Sequence, residues 1–398
     1  MFYKLTDDCI RFTIDGVEML GNPRTQSLFG LDDKGTELAD QLVQGCDVNL
    51  EALSESEFAL IDALNRNRQF TCSDKTAPVR AAYLHVTSRC NMDCPGCYSK
   101  TDHVTESELS HSEMIKIIDN LANAHIKALV ISGGEPFLRK DILDLIKYMK
   151  QEAKIQNVCC ITNGVADFAS YINACMYLDD LSFSLDGFSR ESSFFRKSSH
   201  ERVVSIIKQL RDQVKNISII FTIHKKNLQD ITEMKALAES LGVNYSFSLF
   251  SVSHSSRTDA FELTNIDMQM LENAVYHNDI TITDTSITSE INCRDCCGAG
   301  SMELSISANG DVYPCHMFHD SAYLMGNALS NDLNTVFLDR PMFDVSRKEE
   351  CSECKYRYIC GGGCLFRSYA LRGNLKDTDP LCPIYASHIE KTLSALKG

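Results

Sequence analysis

An α/β fold is expected from the sequence: a partial (β/α)6 barrel of the TIM type, with a small winged-helix-like domain before it and a cysteine-rich domain after it. Three features lead there. Between residues 81 and 250, six strand-like apolar runs alternate with amphipathic helical patterns. That alternation is the signature of parallel βα units, and the span is too short for eight of them. Before it, residues 1–75 read as two short strands and two helices. After it, nine of the 18 cysteines fall between Cys293 and Cys382.

In the first unit, residues 9–14 and 16–20 have strand character around an Asp15-Gly16 turn. Residues 32–44 then carry Leu38, Leu42 and Val43 at helical spacing. Ser54 and Glu57 are placed as a capping box for a second helix, with Phe58, Ile61 and Leu64 on one face. The polar stretch 73–80, with Lys75, Thr76 and Pro78, reads as a linker.

The barrel is assigned to residues 80–255. Its strands are expected at 81–86, 128–132, 157–162, 181–185, 217–223 and 243–250. One helix opens at Ser110, with Glu113 completing a second capping box and Met114, Ile117 and Ile118 following. Others are expected at 141–154, 166–176, 201–211 and 228–241. In such barrels chemistry gathers at the carboxyl ends of the strands. Residues 256–290 are connecting sequence with one helix at 266–276, and residues 291–398 form the cysteine-rich domain.

The chain has 398 residues, with 39 basic against 54 acidic side chains and a net charge of −15. An acidic balance argues against nucleic acid as a partner, because phosphate capture needs a basic footprint. No apolar run approaches the ~18 residues that cross a bilayer, and the amino end is not a secretory signal. A cytoplasmic location and no membrane partner are expected.

Eighteen cysteines in the cytoplasm are not a disulfide framework, since thiols there stay reduced. Clustered thiols read as ligands for zinc or iron–sulfur centres. The first group, Cys90-x3-Cys94-x2-Cys97, follows the first barrel strand and has no histidine close behind. Three thiolates can hold three irons of a [4Fe–4S] cube and leave the fourth open to an outside ligand. Cys9, Cys46, Cys72, Cys159, Cys160 and Cys175 are scattered and read as packing.

The run Cys90-Asn-Met-Asp-Cys94-Pro-Gly-Cys97-Tyr98 resembles the cluster loop of radical S-adenosylmethionine (SAM) enzymes. Gly133-Gly134-Glu135-Pro136, Thr162-Asn163-Gly164 and Ser184-Leu185-Asp186-Gly187 stand in order at the following strand ends, as in that family, with Arg196 downstream. The resemblance implies that Cys90, Cys94 and Cys97 bind the cluster. It also implies that Tyr98, Gly133, Gly134, Glu135, Asn163, Ser184, Asp186 and Arg196 surround SAM. The two glycines would let the backbone approach the ligand, and Glu135 would hold its ammonium. Ser184 and Arg196 suit its carboxylate. Family members commonly carry an aromatic just before the third cysteine; here that position is Gly96, and Tyr98 follows.

The tail cysteines, in the order Cys297, Cys315, Cys351, Cys354, Cys360, Cys364 and Cys382 with Gly310 between the first two, resemble the seven-cysteine pattern of SPASM domains. That resemblance implies two auxiliary [4Fe–4S] clusters. One takes Cys351, Cys354, Cys360 and Cys382. The other takes Cys297, Cys315 and Cys364 with an upstream ligand, for which Cys293 is preferred over Cys296, or with an open iron. The amino-terminal unit is similar to the RiPP recognition element, a leader-binding module of enzymes that modify ribosomally made peptides.

The implied activity is that of a radical SAM oxidoreductase acting as a peptide maturase. Reductive cleavage of SAM would give a 5′-deoxyadenosyl radical that abstracts hydrogen from a precursor peptide bearing a leader. The product would be a thioether (sactipeptide or ranthipeptide type) or another cross-link. A reducing partner such as flavodoxin or ferredoxin is implied, and no residue stands out as a general base. Two alternatives remain: a sulfatase-maturing enzyme forming formylglycine, and a haem-biosynthesis-type oxidoreductase. Sulfatase-maturing members tend to carry an acidic residue where this chain has His316, and they generally lack the amino-terminal unit. His316 itself reads equally as a proton carrier beside a cluster or as a structural histidine.

Overall fold

The computed structural model describes residues 2–70, 79–95, 97–99, 108–188, 200–214, 216–251, 261–263, 265–277, 291–338 and 343–396. Cys72, Gly96, Arg196, most of the linker and most of the connecting segment lie outside the described residues.

The amino-terminal unit contains β1 (Phe2–Tyr3), β2 (Ile10–Ile14), β3 (Val17–Asn22), β4 (Ser27–Leu31), α1 (Asp33–Gln44), β5 (Cys46–Asp47) and α2 (Glu55–Arg66). Strands β2, β3 and β4 form an antiparallel sheet in that order, while β1 pairs with β5. The β2–β3 turn sets Asp15 and Gly16 both at positive φ, the backbone an Asp-Gly hairpin turn favours. The third sheet strand was not anticipated: Ser27-Leu-Phe-Gly-Leu carries a glycine where alternation would show. Leu38, Leu42, Ile61 and Leu64 form the core of this unit, but Val43 and Phe58 are exposed. The two helices bury narrower stripes than their apolar content suggests.

The barrel strands are β6 (Ala81–His85), β7 (Ala128–Ser132), β8 (Asn157–Thr162), β9 (Asp180–Ser184), β10 (Ile217–Ile223) and β11 (Asn244–Leu249). They lie side by side in chain order and all pair in parallel. Between and after them run α3 (His111–Asn123), α4 (Ile142–Gln151), α5 (Phe168–Cys175), α6 (His200–Leu210), α7 (Ile231–Leu241) and α8 (Asn265–His277). Three of these helices show their local stop or start signals. The Ser110–Glu113 capping box satisfies the first turn of α3, the Asp167 side chain accepts from Ser170 N ahead of α5, and Gly242 ends α7 in the left-handed region. Leu84, Ile131, Val158, Phe183 and Ile219 are buried from the strands, and Met114, Ile117, Leu145 and Ile146 from the helices. Each such side chain contributes about 1.5–3 kcal/mol of burial.

The tail is not a separate layer. Strand β12 (Glu303–Ile306) pairs in parallel with β6 on its open side, Glu303 opposite Ala81 and Ile306 opposite Leu84. Strands β13 (Asp311–Tyr313) and β14 (Gly326–Asn327) continue antiparallel, giving a nine-stranded sheet. A strand of four residues in a glycine- and cysteine-rich stretch is too short for alternation to reveal. Beyond it lie α9 (Leu333–Leu338), α10 (Arg357–Cys360), α11 (Leu365–Arg372) and α12 (Cys382–Leu396).

Phe12 and Ile14 of β2 pack on Cys293, Tyr356, Ile359 and Ile389, so the amino-terminal unit sits on the tail. An ion pair between Lys355 and Asp15 borders the contact. Gly21 is required there, since a Cβ on it would come 2.5 Å from the Cys293 Sγ. No helix among the described residues is long and apolar enough to cross a membrane.

Candidate functional site

A cavity of about 710 Å³ opens at the carboxyl ends of the barrel strands. Cys90, Cys94 and Cys97 line one side of it, and Cys297, Cys315 and Cys364 line another. Tyr98, Gly133, Gly134, Glu135, Asn163, Ser184 and Asp186 all reach the same cavity. The structure therefore brings together every described residue expected around SAM.

The Gly133-Gly134-Glu135 turn is stitched to the start of the cysteine loop. Gly134 N donates to Thr87 O and Glu135 N to Arg89 O, both at 2.8 Å. A Cβ on Gly133 would lie 2.3 Å from Thr87 O, and one on Gly134 would lie 2.1 Å from Arg89 O. The close approach that demands these glycines is between two backbone segments, a correction to the expectation that a ligand demands it. Their place in the cavity wall is as expected.

Glu135 is buried and its carboxylate is held from three directions. Oε1 accepts from Thr162 Oγ1 at 2.8 Å and from Phe137 N at 3.2 Å, while Oε2 accepts from Asn163 N at 2.7 Å. Such bonds stabilise an ionised carboxylate, the form that receives an ammonium. Asn163 Nδ2 donates to Asn91 Oδ1 at 2.9 Å and so ties the end of β8 to the residue after Cys90. Asp186 Oδ1 accepts from Thr222 N at 2.9 Å, which fixes the backbone at the ends of β9 and β10. Tyr98 shares a 2.7 Å hydrogen bond with Ser132 Oγ.

The tail thiols fall into the two expected sets. Cys297, Cys315 and Cys364 are close enough that each of Cys297 and Cys364 raises Cys315 electrostatically. Cys351 and Cys354 act in the same way on Cys382, and Cys382 acts on Cys360. Burial pushes Cys297 up to about 11, and Cys360 and Cys364 up to about 12. Crowded thiols of this kind become thiolates when a cation joins them, so the donor sets fit iron–sulfur clusters. Asp379 braces one set: its Oδ2 accepts from Cys364 N at 2.7 Å, Arg367 Nη1 at 2.8 Å and Tyr385 Oη at 2.9 Å.

Cys293 is placed elsewhere. It is fully buried against Phe12 and Gly21 and does not line the cavity, whereas Cys296 does.

Several residues in the cavity wall or packed behind it went unread in the sequence. His85, at the end of β6, sits 4.5 Å from the His319 ring, and Tyr83 stacks on His316 at 4.2 Å. Burial lowers all three histidines, His316 and His319 to about 4, so each is neutral near pH 7. Glu303 of β12 also faces the cavity, and burial raises it to about 7. Gln26, from the turn between β3 and β4, reaches the same wall. Inward-facing positions of β6 and β12 are the signal that locates Tyr83, His85 and Glu303, and it becomes visible once β12 is paired.

Comparison with known proteins agrees with this geometry. Residues 84–238 match the model of the radical SAM superfamily, and residues 296–355 match that of the SPASM iron–sulfur cluster-binding domain. The AdoMet-dependent heme synthase of Methanosarcina barkeri is 26% identical over 75% of this chain and 94% of its own length. The PqqA peptide cyclase of Rhizobium meliloti is 26% identical over 77% of this chain and 87% of its own length. Among solved structures, Streptococcus suis SuiB bound to precursor peptide SuiA superposes with a TM-score of 0.62 at 17% identity, over 96% of this chain and 99% of that one. The likeness to SuiB shows the shared fold. With three thiols and a SAM-type cradle at one side of the cavity and the tail thiols beyond it, this chain carries a radical SAM domain and a SPASM domain, and the cofactors of those domains are S-adenosylmethionine, a SAM-binding [4Fe–4S] cluster and auxiliary clusters.

Proposed function

We propose that this enzyme is a peptide maturase that removes hydrogen from a ribosomally made precursor peptide and forms a cross-link, most simply a cysteine thioether. One observation carries the reading. The Cys90/Cys94/Cys97 loop and the Cys297/Cys315/Cys364 set face one cavity, so a substrate chain lying there touches both. Bound SAM and its cluster supply a carbon-centred radical able to attack an unactivated C–H bond.

The protein's own residues do the rest. Cys90, Cys94 and Cys97 hold the cluster, with Asn163 restraining the loop through Asn91. Glu135 receives the ammonium of SAM, Ser184 and Arg196 its carboxylate, and Tyr98, Gly133, Gly134 and Asp186 wall the site. Cys351, Cys354, Cys360 and Cys382 hold a second auxiliary cluster. Forming a thioether leaves an electron to remove, and thiolate-held iron beside the substrate is suited to take it. An external protein such as flavodoxin or ferredoxin delivers the reducing electron.

The amino-terminal unit supports a peptide substrate. One face of its sheet packs on the tail through Phe12, Met19 and Leu28, and the outer strands β2 and β4 end that sheet, as edges to which a peptide strand can add. The relative named for cyclising the PqqA peptide, and the peptide-bound state of SuiB, favour the same substrate class.

The test is direct. Iron-loaded, dithionite-reduced protein with SAM and a cysteine-containing peptide encoded beside its gene should yield 5′-deoxyadenosine and a peptide lighter by two hydrogens. Absence of 5′-deoxyadenosine overturns the enzymatic reading. Its formation with an unchanged peptide mass, and no change in residue stereochemistry, overturns the peptide reading.

A further inference from the structure

We infer that the Glu303 carboxylate is an iron ligand of the auxiliary cluster held by Cys297, Cys315 and Cys364. The inference rests on the cofactor reading above and assigns the position left to an upstream cysteine.

Strand alternation sets the geometry. Leu304 and Ile306 are buried in the barrel core, while Glu303 lines the cavity, opposite Ala81 of β6. An oxygen of Glu303, the Cys315 Sγ and a ring nitrogen of His316 all lie within 4.8 Å of one another. Cys297 and Cys364 line the same cavity as Glu303 and Cys315, so the carboxylate belongs to the same group of donors as the thiols.

Glu303 has no other employment. Among the described residues its carboxylate, at the cavity wall, makes no hydrogen bond and no ion pair. A carboxylate half-shielded from water with no donor beside it is stabilised by a cation that neutralises it. Iron at the Cys297/Cys315/Cys364 site provides that cation, and a carboxylate is a competent oxygen donor to it.

The rival cysteines are placed less well. Cys293 packs against Phe12, and Gly21 lies directly over its thiol, outside the cavity. Cys296 adjoins Cys297 in sequence, and its Sγ is already engaged by Ser301 Oγ at 3.2 Å and Gly298 N at 3.4 Å. His316 is stacked on Tyr83, and its buried Nδ1 has no hydrogen-bond partner. It lies close enough to compete.

The test uses the full chain with Cys90, Cys94 and Cys97 changed to Ala, so that only tail clusters remain. Iron and sulfide content and the electron paramagnetic resonance (EPR) signal are measured before and after mild ferricyanide oxidation. A carboxylate-held iron should leave on oxidation, giving the three-iron signal that added ferrous iron reverses. Glu303→Cys should abolish that loss, and Glu303→Gln should show the three-iron signal before any oxidant. The inference is overturned if the parent loses no iron on oxidation, if both variants behave as the parent, or if Cys296→Ser or His316→Gln shows the three-iron signal before any oxidant while Glu303→Gln does not. If the parent holds no iron or sulfide at all, it is the cofactor reading that fails.

Discussion

Gly134 and Arg89 touch through backbone alone: a Cβ on the glycine would stand 2.1 Å from the arginine carbonyl oxygen. The strand end that carries Glu135 and the loop that carries Cys90 are thereby locked in one relative position, reinforced by the bond from Glu135 N to Arg89 O.

Gly134→Ala should push those two segments apart. Overpacking of this kind costs about 1–3 kcal/mol. The expected result is selective loss of iron from the Cys90/Cys94/Cys97 site and a fall of at least roughly tenfold in 5′-deoxyadenosine yield. Iron analysis beside the same substitution in a Cys90→Ala background separates this loss from the tail clusters, whose content should be unchanged.

Glu135→Gln preserves shape and removes charge. Hydrogen bonds to an ionised group are worth about 1.5–3 kcal/mol, so SAM should bind roughly 10- to 100-fold more weakly. Calorimetric titration of the iron-loaded protein measures this directly. Unchanged affinity would take Glu135 out of the ammonium site.

Asp379→Asn should weaken the tail rather than SAM binding. Arg367 and Asp379 form an ion pair shielded almost wholly from water, and the same oxygen receives Cys364 N. Removing one partner of a buried pair costs about 3–5 kcal/mol. A lowered unfolding midpoint, together with iron lost from the Cys297/Cys315/Cys364 set, is the expected outcome.

Cys293→Ser separates packing from ligation. The side chain is fully buried among apolar neighbours, where a hydroxyl lacking a partner costs about 1–3 kcal/mol. The variant should melt earlier while keeping all of its iron. Lost iron with an unchanged melting temperature would return Cys293 to the ligand set.

Much of this was legible beforehand because it rests on local rules. The six barrel strands were placed to within a residue or so, since each is a buried apolar run next to an amphipathic helix, one of them opened by the capping box at Ser110. The cluster loop, Glu135 and Asn163 stand at strand ends, where the fold itself gathers chemistry. What escaped depends on contacts distant in sequence. Glu303 reads as one acid in a cysteine-rich stretch until β12 pairs with β6. His85 gains its ring neighbour only when His319 arrives from the tail. Cys293 was preferred over Cys296 on spacing, but Phe12 and Gly21, nearly 300 residues away in sequence, decide its surroundings. Val43 and Phe58 failed the opposite way, apolar residues that no partner covers.

The pairing of β12 with β6 has a mechanical consequence. A continuous ladder of backbone hydrogen bonds joins the metal-bearing halves, so the gap between them is a fixed gauge rather than a hinge. Substrate choice in such a molecule is tuned by the side chains projecting into that gap, and a graft of a foreign tail succeeds only if its first strand docks on this ladder in the same register.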